Sequence, residues 1–527
     1  VDNQATNTAK ARYSQLETLR SPYLERARDC AKLTIPSLIP DEGDQSAAKL
    51  TTPYQSIGAR GVNNLAAKLL LVLLPPNAPF FRLRINPMEV QKLLEGGGDD
   101  QLKSKIEESL SEVEQMVMSE VETTAMRVSV FESLKHLIVG GNVLLHLPPE
   151  GGMKVFHLSR YVVNRDPMGN PLEIVTKESV SPEVLPEEVR DKVQNSPDYR
   201  DQKTVDLYTH IKRVKNKYEV YQEAAEMRIP DSDGEYPIEK SPWLALRFTK
   251  IDGEDYGRGY VEEYQGDLNA LEVLSQAIQE GSTLASTVIF GLRPGATTRK
   301  QDLEEATNGA FVDGDLEKDL TRLQLDKYAD FRVAQTEKEQ IKADLAMAFL
   351  LHTAIQRDAE RVTAEEVRYM AQELETALGG VYSILSQEFQ LPLVNRLMSV
   401  MSKAKKLPDL PKGIVKPSIV TGLDALGRGH DLTKLDVFLG GAIQTFGPEM
   451  VSQYVNLGDY FRRRAAAAGL DKTGLIKTDE EIAQATQQAQ MQGMLDKLGP
   501  NAVNQIGGMM QQQMAAATQP PQEGPQQ

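Results

Sequence analysis

One run constrains the fold more than any other: RVTAEEVRYMAQELETALGGVYSILSQEFQLPLVNRLMSVM, from Arg361 to Met401. Thr363 and Glu366 stand at capping-box spacing, the hydroxyl accepting from the Glu366 backbone N–H and the carboxylate reaching back. Glu365 and Glu366 fall in the first turn, where the helix dipole favours negative charge. Val367, Met370, Leu374, Leu378, Val381, Leu385 and Phe389 follow at three- and four-residue steps, so one face is apolar. Gly379-Gly380 interrupts that face. Two glycines inside a helix cost about 1 kcal/mol each relative to alanine, and they predict a kink. Pro392 removes a backbone donor and predicts a bend near Gln390. The plain reading is a long, bent core helix. Before it, LLHTAIQRDAERVT (Leu350–Thr363) carries Arg357 and Arg361 on a short polar stretch between two helices.

Periodicity orders the rest of the chain. Residues 12–34 read as a helix with Tyr13, Leu16, Leu19, Leu24, Ala27 and Ala31 on its apolar face, stopped by Pro36. Tyr54–Leu74 reads as a second helix, ended by Pro75-Pro76, and FFRLRI (Phe80–Ile85) as a strand. Gln101–Met126 is a third helix that Val128–Ile138 continues, before Gly140-Gly141-Asn142 turns the chain into the strand VLLHLP. Val143–Phe248 is mostly strand, with turns at Asp166–Gly169 and Lys215-Asn216. The fold class is α+β, mainly helical.

Tyr260 to about Ala285 is a helix with a narrow apolar stripe, Val261, Tyr264, Leu268, Leu271, Leu274 (or Ser275) and Ile278. A stripe near the 3.5 period suits packing against neighbouring helices. Gln335 to about His352 is helical again. A small insert, with strand pieces at Val288–Leu292, FVDGD (Phe311–Asp315) and LTRLQLD (Leu320–Asp326), lies between two helices able to run side by side. Leu407–Val420 reads as a Pro- and Lys-rich connector, and Leu423 to about Ala468 as helix with glycine breaks. From Leu498 the chain is low in complexity and reads as disordered.

Composition removes several function classes. The 527 residues exceed one ordinary domain, and 40% hydrophobic with 25% charged residues is ordinary for a soluble protein. A net charge of −16 argues against a surface that grips nucleic acid by its phosphates. It leaves room for DNA that is handled without being held. Cys30 is the only cysteine, so no intrachain disulfide or thiolate metal cluster forms. The longest apolar run, Leu65–Leu74, contains Lys68 and is too short to span a bilayer. The first ten residues lack the apolar core of a signal peptide. A soluble, intracellular chain is expected.

Catalytic signatures are missing. There is no Walker loop, G-x-S-x-G or H-E-x-x-H. GRGHDL at Gly427 does not follow a strand and reads as a helix break rather than a dinucleotide fingerprint. His136, His146, His157, His210, His352 and His430 are isolated in sequence, although His146 and His157 could meet across a hairpin. DSDGE (Asp231–Glu235) lacks the later ligands and helical flanks of a calcium loop and reads as a turn. No enzyme, cofactor or metal is expected.

Several runs resemble the portal, or head-to-tail connector, proteins of short-tailed bacteriophages of the autographivirus group. They are IPSLIP (Ile35–Pro40), YQSIGARGVNNLAAKLLLVLLPP (Tyr54–Pro76), VGGNVLLHLP (Val139–Pro148), YGRGYVEEYQGDLNALE (Tyr256–Glu272), IQRDAERVTAEEVRYMAQELETALGGVYSILSQE (Ile355–Glu388) and TGLDALGRGHDLTKLD (Thr421–Asp436). They occur in family order over most of the chain. From about Gln484 only the composition is similar.

The resemblance implies a portal fold with wing, stem, clip and crown, assembling into a dodecameric ring around a channel for double-stranded DNA. By position, residues 1–259 would be the wing, 260–285 and 335–350 the two stem helices, and 286–334 the clip. Residues 351–362 would be the tunnel loop, 363–420 the long kinked wing helix with its connector, 421–483 the crown and 484–527 a Gln-rich tail. The implied partners are further copies of the chain, the terminase large subunit, a tail adaptor, the major capsid and scaffolding proteins and internal core proteins, with no membrane. The implied place is the portal vertex of the virion, after assembly in the bacterial host cytoplasm. Terminase hydrolyses ATP in that family, which agrees with the missing Walker loop.

Site residues follow from these expectations. Lys338, Lys342, Arg357 and Arg361 would meet DNA at the channel, each repeated around the ring. The alternative for the two arginines is pairing with Glu360, Glu365 or a neighbouring subunit. Arg293, Arg299 and Lys300 would bind partners at the clip. Val261, Leu268, Leu271 and Ile278 would form the stem interface between subunits, and Gly379 and Gly380 the kink. The competing reading is a helical structural scaffold protein without a DNA channel.

Overall fold

The computed structural model describes residues 8–41, 50–76, 79–85, 100–196, 203–286, 289–323, 328–351, 373–374, 376–408, 415–419, 427–455, 458 and 460–461. Arg357, Arg361, the Thr363–Glu366 box, Val367, Met370 and the Gln-rich tail lie outside the described residues. The chain divides into two units, residues 1–426 and 427–527.

The first unit opens with helices α1 (Ala9–Lys32) and α2 (Ile57–Leu73), then strand β1 (Phe81–Ile85). Helices α3 (Asp100–Thr123) and α4 (Met126–Gly140) lead into β2 (Asn142–His146), β3 (Lys154–Phe156), β4 (Tyr161–Arg165) and β5 (Pro171–Val180). A short helix, α5 (Glu187–Asn195), precedes β6 (Val205–Val214), β7 (Lys217–Ala224), β8 (Met227–Arg228), β9 (Gly234–Pro237) and β10 (Trp243–Arg247). Then come α6 (Tyr260–Glu263), α7 (Gln265–Ser286), β11 (Ile289–Leu292), α8 (Lys300–Glu304), α9 (Leu316–Asp319), β12 (Leu320–Leu323) and α10 (Tyr328–Ala348). The unit closes with α11 (Val381–Leu385), α12 (Leu391–Lys403) and β13 (Val415–Ile419).

All described strand pairs are antiparallel. One sheet has the order β10-β2-β3; the larger one runs β4-β5-β6-β7-β8, with β9 also on β7. Helix α1 lies on the larger sheet through Ala9, Tyr13 and Leu16, packed with Val162, Val175 and Tyr208. Leu19 is the exception in its apolar series and is exposed. Buried Arg20 fastens α1 further by donating to the Tyr13 hydroxyl and to the carbonyls of Leu158, Ser159 and Tyr161 at 2.8–3.2 Å. One continuous core joins α1 to α4, the smaller sheet, α6, the start of α7, the end of α10 and the segment from Leu374 to Met401.

Several expectations need correction. The connector at Leu407–Val420 contains a strand: β13 pairs with β1, Phe81 opposite Ile419. Pro417 is tolerated because a two-stranded ladder has only edge strands. Helix α5 was not expected inside the strand region; it packs Val189 and Val193 into a small separate core with Val205 and Ile229. FVDGD is irregular, and Phe311 is fully exposed. The helix expected over Tyr260–Ala285 breaks at Tyr264, and its later partner begins at Tyr328, seven residues before Gln335. GRGHDL is helical and does not interrupt its helix.

The second unit contains α13 (Gly427–Phe446) and α14 (Pro448–Tyr454). Leu439, Val451 and Tyr460 form its buried cluster, while Val437, Phe438, Ile443, Phe446, Met450 and Tyr454 are exposed.

At both positions where a bend was expected, the described backbone departs from regular α-helix. Gly379 has φ +54°, and a side chain there would meet no neighbour, so glycine serves the backbone conformation alone. Before Pro392, residues Ser386–Gln390 form a π-helical turn. Pro392 lacks the donor that would return to the Glu388 carbonyl, and its ring crowds that carbonyl; a wider turn relieves both.

The histidines pair otherwise than expected. His146 stacks on Trp243 at 3.8 Å, whereas His157 lies 6.1 Å from His136. Burial, with Lys135 nearby, pushes His136 down to about 4, and burial beside His136 and Arg160 pushes His157 down to about 3. Unfolded, both return to the ordinary 6.5, so the unfolded chain binds protons that the folded chain refuses. Their contribution is full above pH 6.5 and is lost as pH falls through 4 and then 3. Urea unfolding should show stability declining from pH 6.5 to 4, with a flatter profile in His136→Gln; an equally steep profile would contradict this account.

Candidate functional site

Helices α7 and α10 pack side by side and carry the insert between them. The insert is closed by pairing of β11 with β12, Ile289 opposite Leu323. Asp319 Oδ2 accepts from the backbone N–H and hydroxyl of Thr297 and of Thr298 at 2.8–3.2 Å. The Thr297 hydroxyl bond and the Thr298 backbone bond lead the causes that hold the Asp319 carboxyl below its ordinary value. The rigid turn so formed presents Arg299 and Lys300.

At the other end, α10 stops against α2 and α6. The last carbonyls of a helix have no partner within it and need donors from elsewhere. Tyr260 Oη donates to the Ala348 carbonyl at 2.9 Å. Asn64 Nδ2 donates to those of Phe349 and Leu350 at 3.0 Å. Lys68 Nζ donates to the Leu350 carbonyl at 3.1 Å, a favourable place for a cation. It also pairs with Glu373 Oε2, at 3.0 Å. Gly61 makes the approach possible: a Cβ there would lie 2.5 Å from Phe349 Cγ. Phe349 stands edge-on to Tyr260 at 5.8 Å, and Tyr264 completes the aromatic cluster. Leu350 takes φ +54° as the chain leaves the joint.

Helix α7 is anchored beside this joint. Glu272 accepts from the backbone N–H groups of Tyr54 and Gln55, at 2.8 and 3.1 Å, just before α2. The turn before α6 is pinned by buried Asn142, which donates to the Gly140 and Gly257 carbonyls and accepts from the Gly257 N–H. The runs around Val139–Pro148 and Tyr256–Glu272, far apart in sequence, therefore meet.

A second anchor holds the long bent helix. Glu388, on the π-helical turn, accepts from the Arg247 backbone N–H at 3.0 Å and from its Nε at 3.1 Å. Arg165 Nη1 lies 3.9 Å from the same carboxylate. Both arginines are buried; Arg165 also donates to the carbonyls of Asp255, Gly169 and Ala245. Gln390 donates to the Leu73 carbonyl and Arg396 to that of Leu147.

Val261, Leu268 and Leu271, assigned from sequence to a subunit interface, lie in the chain's own core, with Leu271 1% exposed. A side chain covered within one chain has no area left for a second. Ile278 is half-buried, and among the described side chains of the two helices the exposed large apolar ones are Val273, Val333 and Met347. Lys338 is half-buried and Lys342 exposed, one turn apart on α10. Arg293, Arg299 and Lys300 are exposed, and Lys300 pairs with Glu304 at 3.3 Å, an exposed contact of small energetic weight. Sequence reading missed Asn64, Lys68, Glu373, Arg165, Arg247 and Glu388. A lysine inside the apolar run Leu65–Leu74 was the available sign for Lys68. No group of metal-ligating side chains occurs among the described residues, and no described helix is long and apolar enough to cross a membrane.

A pair of packed helices bearing a small insert, anchored in a mixed helix-and-strand body, is a scaffold built for connection. The family model for the bacteriophage head to tail connecting protein matches residues 6–476, and the chain belongs to that family. It is 44% identical to the portal protein of Escherichia phage T7, over 93% of this chain and 92% of that protein. It is 45% identical to the portal protein of Enterobacteria phage T3, over 90% and 89%. With the portal protein of Enterobacteria phage SP6 the identity is 31%, over 94% and 95%. The chain is a phage portal protein, a structural component of the virion at the junction of head and tail.

Removing one partner of a buried ion pair leaves an uncompensated charge. Glu388→Ala should therefore cost about 3 kcal/mol, read as a lowered urea midpoint. A midpoint within error of the parent would show that Glu388 does not hold the helix.

Proposed function

We propose that copies of this chain close into a dodecameric ring at the capsid vertex, forming a passive conduit for double-stranded DNA during packaging and ejection. The ring also serves as the docking platform for terminase and, later, the tail adaptor. Family membership over residues 6–476 carries this reading. In it, α6–α7 and α10 are the stem, the insert with β11 and β12 is the clip, residues 351–362 are the tunnel loop, and the crown begins near Thr421.

Two physical observations support it. The second half of α13 carries Val437, Phe438, Ile443 and Phe446 exposed on several sides, the pattern of a helix that neighbouring copies cover. The exposed Val273, Val333 and Met347 give the stem a comparable surface, so subunit contact is better tested there than at buried Leu271.

Charge supports the conduit. Each phosphate neutralised releases counterions and deepens binding, so a basic lining would hold DNA in place. A chain of net charge −16 avoids this, and a few basic rings then suffice as a check on backward slippage. Lys338, Lys342, Arg357 and Arg361 are the residues proposed for that check.

Replacing Arg357 and Arg361 together with alanine should leave ring assembly intact and shorten the genome retained in filled heads. Unchanged packaging and retention would reject the gating role. Replacing Arg293, Arg299 and Lys300 together should weaken capture of terminase by purified rings; undiminished capture would remove those residues from the docking surface.

A further inference from the structure

We propose that Lys68 is a positioning residue: its ammonium ties the end of α10 to Glu373, so that Leu350 and Glu373 are held at one fixed point. Two of its contacts lie on either side of residues 352–372 in sequence. One is the Leu350 carbonyl at 3.1 Å and the other the Glu373 carboxylate at 3.0 Å. The Lys68 side chain is 7% exposed and stands on the apolar helix α2. Burying an ammonium there opposes folding unless geometry offsets the lost hydration. An apolar residue would fill the site more cheaply, so the charge serves geometry: it joins two chain ends that apolar packing would leave free to slide. The surroundings are built to the same purpose. Asn64, one turn earlier on α2, donates to the same Leu350 carbonyl and to that of Phe349, and Gly61 admits Phe349. Glu388 cannot substitute, since it anchors the helix beyond the Gly379 break.

Only the consequence for DNA rests on the conduit reading; the tie itself does not. The test uses assembled full-length protein with Lys68→Met, Glu373→Gln and the double variant Lys68→Met/Glu373→Leu. The double variant removes the two facing charges together, so neither is left opposite an apolar side chain as in the single variants. Its melting temperature should stay close to the parent's, while hydrogen exchange in peptides containing Phe349, Leu350 and Leu374 accelerates by about tenfold or more. The two single variants should accelerate the same peptides. Parent-like exchange at both ends in the double variant would overturn the proposal, as would acceleration spread evenly over the core. Faster exchange at both ends with normal genome retention in filled heads would support the tie and count against the DNA role of Arg357 and Arg361.

Discussion

A helix that ends inside a protein must hand its last carbonyls to donors from elsewhere, and α10 ends inside this one. Tyr260, Asn64 and Lys68 meet the three carbonyls from Ala348 to Leu350, and they come from two different elements. That requirement explains several otherwise unrelated choices in the sequence. Gly61 keeps α2 close, Tyr260 stands at the start of α6, and a lysine interrupts an apolar run. The aromatic contacts of Phe349 add apolar area and rigidity, but the carbonyls set the geometry.

The bent helix after Gly379 is held on a similar principle with the charges reversed. A single carboxylate, Glu388, faces two buried arginines, and the backbone carbonyls around Arg165 take up the remaining donors. Charges buried this way contribute less to stability than apolar packing of the same volume, but they tolerate little displacement. In the proposed ring, where each copy would place the same segment alike, small tolerance is the useful property.

Much of the fold was legible because it rests on local pattern. The 3.6 period marked α1 to α4, α7 and α10, and alternation with turn residues marked β5, β6 and β7. Gly379 and Pro392 marked, through backbone chemistry alone, the two places where the regular α-helix is interrupted. What was not legible depends on partners distant in sequence. β13 exists because Phe81–Ile85 pairs with it, although its Pro and Lys content reads as loop. The stripe Val261–Leu268–Leu271 has the period of a helix contact, and period does not say whether the contact is with the same chain or another. Lys68 and Glu388 find their partners across the core, where no spacing rule reaches.

The central claim is that these chains close into a ring around a hole. Mass measurement of the purified protein together with projection images tests it most directly. Twelve copies of 58.4 kDa give about 700 kDa, and the account predicts closed rings of that mass with a central opening wide enough for duplex DNA. A uniform population of monomers, or open filaments without a central hole, would contradict it.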